Sequence, residues 1–216
     1  AFRTGRSRET SYSRDYDRLY ELMRHEKEHG YIVWVLGPAV VFDSDSKKAM
    51  ISLIENGYVD AILAGNALAT HDLEGVLFKT ALGQDIYTQA SVPNGHYHHL
   101  DVLNNAREHD SLAEFITAKK IDDGIVAACL KAGVPLVLAG SIRDDGPLPE
   151  VLADVYAAQN AMRQHAKQAT TMICLATQLH SIAAGNMTPA YQVIEGSVRP
   201  VFLYSVDVSE FAVNKL

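Results

Sequence analysis

Cysteine is scarce in this chain: Cys129 and Cys174 are the two cysteines among its 216 residues. Both stand inside apolar runs, which is typical of reduced, buried core residues and speaks against a disulfide framework. Apolar runs are also short, and none approaches the roughly 20 residues that a transmembrane helix needs. Positive charge is in deficit, since the net charge is -7 at pH 7, which disfavours nucleic acid or an anionic membrane as a partner. We therefore expect a cytoplasmic protein.

The glycine fingerprint Gly-x-Gly-x-x-Gly of dinucleotide-binding folds is missing after the first predicted strand. Residues 37–46, Gly-Pro-Ala-Val-Val-Phe-Asp-Ser-Asp-Ser, stand in its place. Ser44 can N-cap the helix that follows, and Asp43 either caps that helix or repels a phosphate. Taken alone, this segment is a weak phosphate site.

What the chain does contain is an alternation of short apolar strands and amphipathic helices. Strands are predicted at 31–36, 59–64, 136–139, 171–175 and 201–206. Helices are predicted at 44–56, 67–80, within 111–132, at 149–165 and from Asp207 onward, with a loop rich in Gly, Asn and His reaching about residue 105. This order predicts an α/β fold with a doubly wound, mostly parallel sheet of the Rossmann type. Residues 1–30 are predicted as a linker arm and a docking helix, and residues 31–216 as one ligand-binding domain.

Polar loops follow several strands, and the longest is Gly140–Pro149. Arg143, Asp144 and Asp145 come here directly after the strand 136–139, and ligands of open α/β sheets bind at such strand tips. Arg143 can hold a carboxylate in bidentate fashion. Two neighbouring carboxylates can bind an ammonium group, bind ribose hydroxyls or act as a base. Three charges after a buried strand favour a functional loop over a solvated loop with local ion pairs.

Two further strand tips carry candidate residues. In Ala64-Gly65-Asn66 the glycine lets a ligand approach the bare backbone, although an ordinary strand-to-helix turn explains the same residues. His180 and Ser181 follow the fourth strand in the first turns of the next helix. His180 is a candidate proton shuttle near neutral pH, although a lone histidine is more often structural.

Histidines cluster at His96, His98 and His99, with Asp101 close behind. A zinc site needs three or four converging ligands, so a polar loop lining the pocket is favoured over a metal site. His71 begins another helix and faces either the pocket or solvent.

Together these motifs resemble the archaeal-type ornithine cyclodeaminases, a family that carries the lysine-oxoglutarate reductase/saccharopine dehydrogenase conserved region. They are also similar to the C-terminal region of cyanobacterial enzymes that couple arginine dihydrolase to ornithine cyclodeaminase. The resemblance covers residues 31–216 and rests on the segments 37–41, 64–74, 139–149 and 179–187. It implies a fold similar to deoxyhypusine synthase, a Rossmann-like sheet that binds NAD without the usual glycine fingerprint.

The function that the resemblance implies is conversion of L-ornithine to L-proline and ammonia with recycled NAD, in a homo-oligomeric lyase of amino-acid metabolism. It needs no metal. The implied catalytic residues are Arg143 for the substrate carboxylate, Asp144 and Asp145 as base or ammonium partner, and His180 for proton movement. The implied NAD site is lined by Gly37, Pro38, Ala39, Ala64, Gly65, Asn66, Ser141, Ser181, Gly185, Asn186 and Asp207. NAD is favoured over NADP because no Arg cluster follows the strand tips.

Two departures from the family pattern leave alternatives open. Phe42-Asp43-Ser44 stands where a His-Thr-Gly-like stretch is expected. The family's N-terminal domain is absent, so that domain is either encoded separately or the chain is a fragment. The alternative function is an NAD-binding regulatory or partner-dependent module of a larger amino-acid enzyme, without turnover on its own. A third possibility is a non-redox oligomerisation domain.

Overall fold

The computed structural model describes residues 13–208. Its strands are β1 (Ile32–Leu36), β2 (Ala61–Gly65), β3 (Thr80–Ala81), β4 (Gln84–Asp85), β5 (Leu136–Ala139), β6 (Thr171–Leu175), β7 (Tyr191–Ile194), β8 (Ser197–Pro200) and β9 (Phe202–Val206). Its α-helices are α1 (Ser13–His29), α2 (Ser44–Glu55), α3 (Asn66–Phe78), α4 (His98–Ala106), α5 (Leu112–Lys119), α6 (Ile125–Ala132), α7 (Val155–Ala166) and α8 (Gln178–Met187). Short 3-10 helices form at Pro38–Val41 and Gly95–Tyr97.

The central sheet has the order β5-β2-β1-β6-β9, and each neighbouring pair of strands is parallel. The predicted α/β class with a parallel, doubly wound sheet is confirmed. The chain leaves β1 toward β2 and β5 on one side, and later adds β6 and β9 on the other. The connections after β1 and β6 therefore diverge, and this switch point at the carboxyl edge of the sheet is where open α/β sheets bind ligands.

The hydrophobic core lies on both faces of this sheet because successive strand residues point to opposite faces. Ile32, Trp34 and Leu36 of β1 pack in the larger cluster, with side chains of α2, α3 and α6. Val33 and Val35 pack in the smaller cluster, with side chains of α7. Each residue of β1 is buried, which explains why the strand reads as a continuous apolar run.

Polar groups close the amino edge of the sheet. Glu26 of α1 is fully buried, accepts a hydrogen bond from the Thr170 hydroxyl and forms an ion pair with Arg199. Beside it, Asp60 Oδ2 accepts from the amide of Ile32 at 2.6 Å. The helix predicted before Gly30 is thus α1, and its Glu26 ties it to β6 and β8.

Two predicted elements were wrong in part, and a third element was missed. The helix predicted from residue 149 begins only at Val155, because Leu152 first continues the sheet: its amide donates to the Leu138 carbonyl at 2.9 Å. The loop predicted up to about residue 105 contains α4 from His98 onward. The hairpin of β7 and β8 was not predicted. Its Glu195-Gly196 turn has positive φ angles of 50° and 81°, as two-residue hairpin turns require.

Two predictions concern the limits of the described chain. Residues 1–12 of the arm predicted up to about residue 14, and most of the closing helix predicted after Asp207, lie outside residues 13–208. Within that range, no helix has both the length and the apolar character that crossing a bilayer requires.

Candidate active site at the carboxyl edge of the sheet

Gly37 marks the switch point where β1 and β6 end side by side. Its amide donates to the Leu175 carbonyl at 2.8 Å. A Cβ at this position would overlap the carbonyl oxygen of Ala176, so a side chain would force the two strand ends apart. Ala176 itself has a positive φ of 53°. The absence of a side chain at Gly37 therefore lets the ends of β1 and β6 meet closely at the switch point, which is where open α/β sheets bind ligands.

Two helices start at this edge without side-chain caps within the described chain. The N-caps of α3 and α8 are Gly65 and Thr177, and neither makes a capping side-chain bond. By contrast, Asp43 caps α2 by accepting from the amides of Asp45 and Ser46. Asp43, and not Ser44, is thus the N-cap of α2. The first-turn N–H groups of α3 and α8, which these N-cap side chains do not cap, favour an anion nearby.

His180 lies directly over the end of β2. A Cβ built on Gly65 would lie 3.0 Å from His180 Cε1, so the absence of a side chain leaves room for the imidazole. Burial lowers the pKa of His180, and the negative charge of Asp144 opposes this shift. The structure therefore brings Gly65, His180 and Asp144 together, and it favours the neutral imidazole of His180.

Residues 141–149, which we call the acidic loop, form a tight turn at the tip of β5. Asp144 Oδ2 accepts from the amide of Ser141 at 2.8 Å, and the amide of Arg143 donates to Ser141 Oγ at 3.2 Å. Ser141 thus supports the turn with both its amide and its hydroxyl. Arg143 is exposed and Asp144 half-buried.

Asn66 holds the far side of the acidic loop. Its Nδ2 donates to the Gly146 carbonyl at 2.8 Å, and its Oδ1 accepts from the amide of Leu148 at 3.0 Å. Asn66 is buried, so both ends of its amide serve the loop. Arg107, which follows α4, adds a third anchor from its Nε to the Pro147 carbonyl at 3.3 Å.

Sequence reasoning missed a pair of carboxylate–histidine contacts beside this loop. His99 Nε2 lies 2.8 Å from Asp145 Oδ2, and His71 Nδ1 lies 2.7 Å from Glu74 Oε2. The two imidazole rings are 5.9 Å apart between centroids. The spacing of His71 and Glu74, three residues apart on one helix, could have indicated the second contact. Nothing in the sequence pairs His99 with Asp145.

Three candidate NAD-binding residues of α8 either lie away from the carboxyl edge of the sheet or direct their side chain into the helix. The Ser181 hydroxyl is directed into its own helix, where it donates to the carbonyl of the α8 N-cap. Gly185 and Asn186 belong to the last turn of α8, about 10 Å along the helix from its start. The next residue but one, Thr188, donates to Met172 Sδ near the amino end of β6.

The remaining candidates occupy different environments. Pro38 and Ala39 begin the 3-10 helix after Gly37, at the switch point. Ala64 is fully buried in β2, and Asp207 directly follows β9. Among the residues that the structure describes, no group of three or more His, Cys, Asp and Glu side chains could hold a metal ion.

Comparison with protein families gives one match over nearly the whole chain. Residues 18–216 match the family described as "Arginine dihydrolase ArgZ-like, C-terminal, Rossmann fold". Among curated proteins, the chain is 43% identical over 199 residues to an ornithine cyclodeaminase of Methanopyrus kandleri. The alignment covers 92% of this chain and 46% of that protein, so the chain spans less than half the length of its relative.

Solved structures show the same fold. A conserved LOR/SDH protein of Methanococcus maripaludis S2 superposes with a TM-score of 0.86 at 35% identity, over 100% of this chain and 63% of that one. AgrE, the bifunctional arginine dihydrolase/ornithine cyclodeaminase of Nostoc, was solved in a ternary complex with ornithine and NAD+. It superposes with a TM-score of 0.83 at 37% identity, over 92% of this chain and 28% of that one.

Proposed function

Because the chain belongs to the ArgZ-like C-terminal Rossmann family, we propose that it binds NAD and converts L-ornithine to L-proline and ammonia. The observation that carries this proposal is the convergence of two uncapped helix starts with His180 and Asp144 at one edge of the sheet. Gly37 lets the ends of β1 and β6 meet there, Gly65 leaves room for His180, and Asp144 acts electrostatically on His180. The proposed catalytic domain is residues 31–216.

The residues at the switch point fit a dinucleotide. The uncapped starts of α3 and α8 offer N–H groups to a diphosphate, and Gly37 lets the ends of β1 and β6 meet closely between them. Pro38, Ala39, Gly65 and Asp207 complete the wall of this site in the proposal. When bound, NAD supplies the oxidation of the substrate and the matching reduction at the end of the cycle, so no net NADH accumulates.

The charged residues of the acidic loop would bind the amino acid. Arg143 would hold the α-carboxylate through its planar guanidinium. Asp144 would take a proton from the substrate amine, and the neutral His180 would pass it on, because burial keeps the pKa of this imidazole below its usual value. In the reaction the δ-nitrogen bonds to the α-carbon and the α-nitrogen leaves as ammonia, so that L-ornithine is divided into proline and ammonia.

A second candidate is an NAD-binding module that turns substrate over only with further protein. The observation that favours it is the coverage of the relatives, since the chain matches 46% of the archaeal cyclodeaminase and 28% of AgrE. Exposure of Arg143 and Asp145 is consistent with a site that another protein surface closes.

The experiment that tests the proposal is incubation of the purified chain with L-ornithine and NAD, followed by measurement of proline, ammonia and NADH. Equal amounts of proline and ammonia without net NADH are expected. NAD binding without product would contradict turnover by this chain and favour the second candidate. Absence of NAD binding in calorimetry would contradict both.

A further inference from the structure

We propose that His99 is a positioning residue for Asp145, and that Asp145 held in this way binds the side-chain ammonium of the amino-acid substrate. The inference rests on the function proposed above and deepens it, because it gives the two adjacent carboxylates separate tasks. Asp144 would act at the reacting α-carbon, and Asp145 would select substrates that carry a second amine.

The two carboxylates lie in different surroundings although they are neighbours in sequence. Asp144 accepts from the Ser141 amide and acts electrostatically on His180, which covers Gly65 near the switch point. Asp145 is instead paired with His99 of α4 at 2.8 Å. A substrate with amines at both ends can use one carboxylate for each.

His99 is itself held in place. Its ring lies 5.9 Å from the ring of His71, which is paired with the buried Glu74. Glu74 Oε1 accepts from the Thr80 hydroxyl at 2.8 Å, and Phe42 packs edge-on against His71 at 5.6 Å. The imidazole of His99 therefore rests on a buried, hydrogen-bonded group, while the Asp145 side chain is 60% exposed.

This difference in exposure gives His99 its role. A carboxylate that is mostly in water samples many rotamers, and fixing one of them costs entropy when an ammonium ion binds. Water also screens the attraction between the two charges. The contact with His99 restricts Asp145 to one direction and leaves its second oxygen available for a ligand. A neighbouring anchor, Arg107 on Pro147, comes from the C-terminal end of the same helix and keeps the loop beside α4.

The test compares His99→Ala, His99→Gln and the matched control His96→Ala. His96 is exposed and precedes α4. Binding of L-ornithine and of L-norvaline, which lacks the side-chain amine, is measured by calorimetry with NAD present, together with kcat and KM. We expect His99→Ala to weaken ornithine binding about tenfold, with KM rising and kcat changing less than twofold. Norvaline binding should not change, and the amide donor of Gln should restore part of the affinity.

Equal losses for ornithine and norvaline, or unchanged ornithine binding, would overturn the inference. If the parent chain binds neither amino acid, the proposed function is wrong, and hydrogen exchange then tests the pairing by itself. His99→Ala should speed amide exchange at Arg143–Asp145, whereas His96→Ala should not. Unchanged exchange in both variants would show that His99 does not position Asp145.

Discussion

Both edges of the sheet contain polar side chains, but the two edges use them differently. At the amino edge, Glu26 is fully buried and its oxygens are taken by Thr170 and Arg199. At the carboxyl edge, α3 and α8 start without side-chain caps within residues 13–208, and Asp145 is largely exposed. Charged groups whose partners are supplied inside the protein stabilise the fold. Those with hydrogen-bonding capacity left over can bind a ligand.

The largest expected effect is at the carboxyl edge. Asp144→Asn removes the proposed base while leaving an oxygen to accept from Ser141, so turnover should fall about 1000-fold and the melting temperature should stay the same. Steady-state kinetics and thermal unfolding on one preparation measure both quantities. A turnover within twofold of the parent would remove Asp144 from the mechanism.

Glu26→Ala gives the opposite result at the amino edge. It leaves Arg199 without its buried partner, so the free energy of unfolding should fall by about 3 kcal/mol. Urea denaturation measures this loss. Because Glu26 lies at the edge opposite the site, kcat/KM of the folded variant should equal that of the parent. A tenfold fall in kcat/KM would mean that the two edges are coupled.

Gly65→Ala tests whether activity at the carboxyl edge depends on the position of His180. The added methyl group would lie 3.0 Å from His180 Cε1, so the imidazole must move and kcat should fall about tenfold. Gly140→Ala is the control, because its nearest neighbours would lie at an ordinary 3.5 Å. Equal kcat values for both variants would show that the position of His180 does not matter.

The smallest expected effect concerns pH. Burial lowers the pKa of His165 below its ordinary 6.5, and Tyr31 Oη lies 2.8 Å from its Nδ1. Below pH 6.5 the unfolded chain takes up this proton more readily than the folded chain, so stability falls as the pH is lowered. Urea denaturation between pH 7.5 and 5.5 should show a shallower loss for His165→Gln. If the free energy of unfolding of His165→Gln changes with pH as steeply as that of the parent, His165 does not cause the loss of stability.

The sequence predicted what local patterns determine. Runs of four to six mostly apolar residues with polar endings located the five parallel strands, and the structure places Arg143, Asp144 and Asp145 after the tip of β5 as expected. α4 was missed because Gly, Asn and His residues around it resemble a loop. Its buried Val102, Leu103 and Ala106 lie at helical spacing and could have shown it.

Contacts between distant residues lay beyond these patterns. Asn66 was expected to meet a ligand, but its amide bonds the loop 80 residues further along the chain. His99 and Asp145 are separated by 46 residues. Such pairings depend on how β2, α4 and β5 pack in three dimensions, and the periodicity of the sequence does not predict that packing.

Helix α4 bears on how the acidic loop can be altered by substitution. It packs against α3 and lies outside the central sheet. Its His99 and the adjoining Arg107 nevertheless both contact the acidic loop. Substitutions of His99 or Arg107 can therefore alter the loop while the sheet and its switch point stay as they are. The contacts that α4 makes with the acidic loop thus depend on a nine-residue helix that lies outside the sheet.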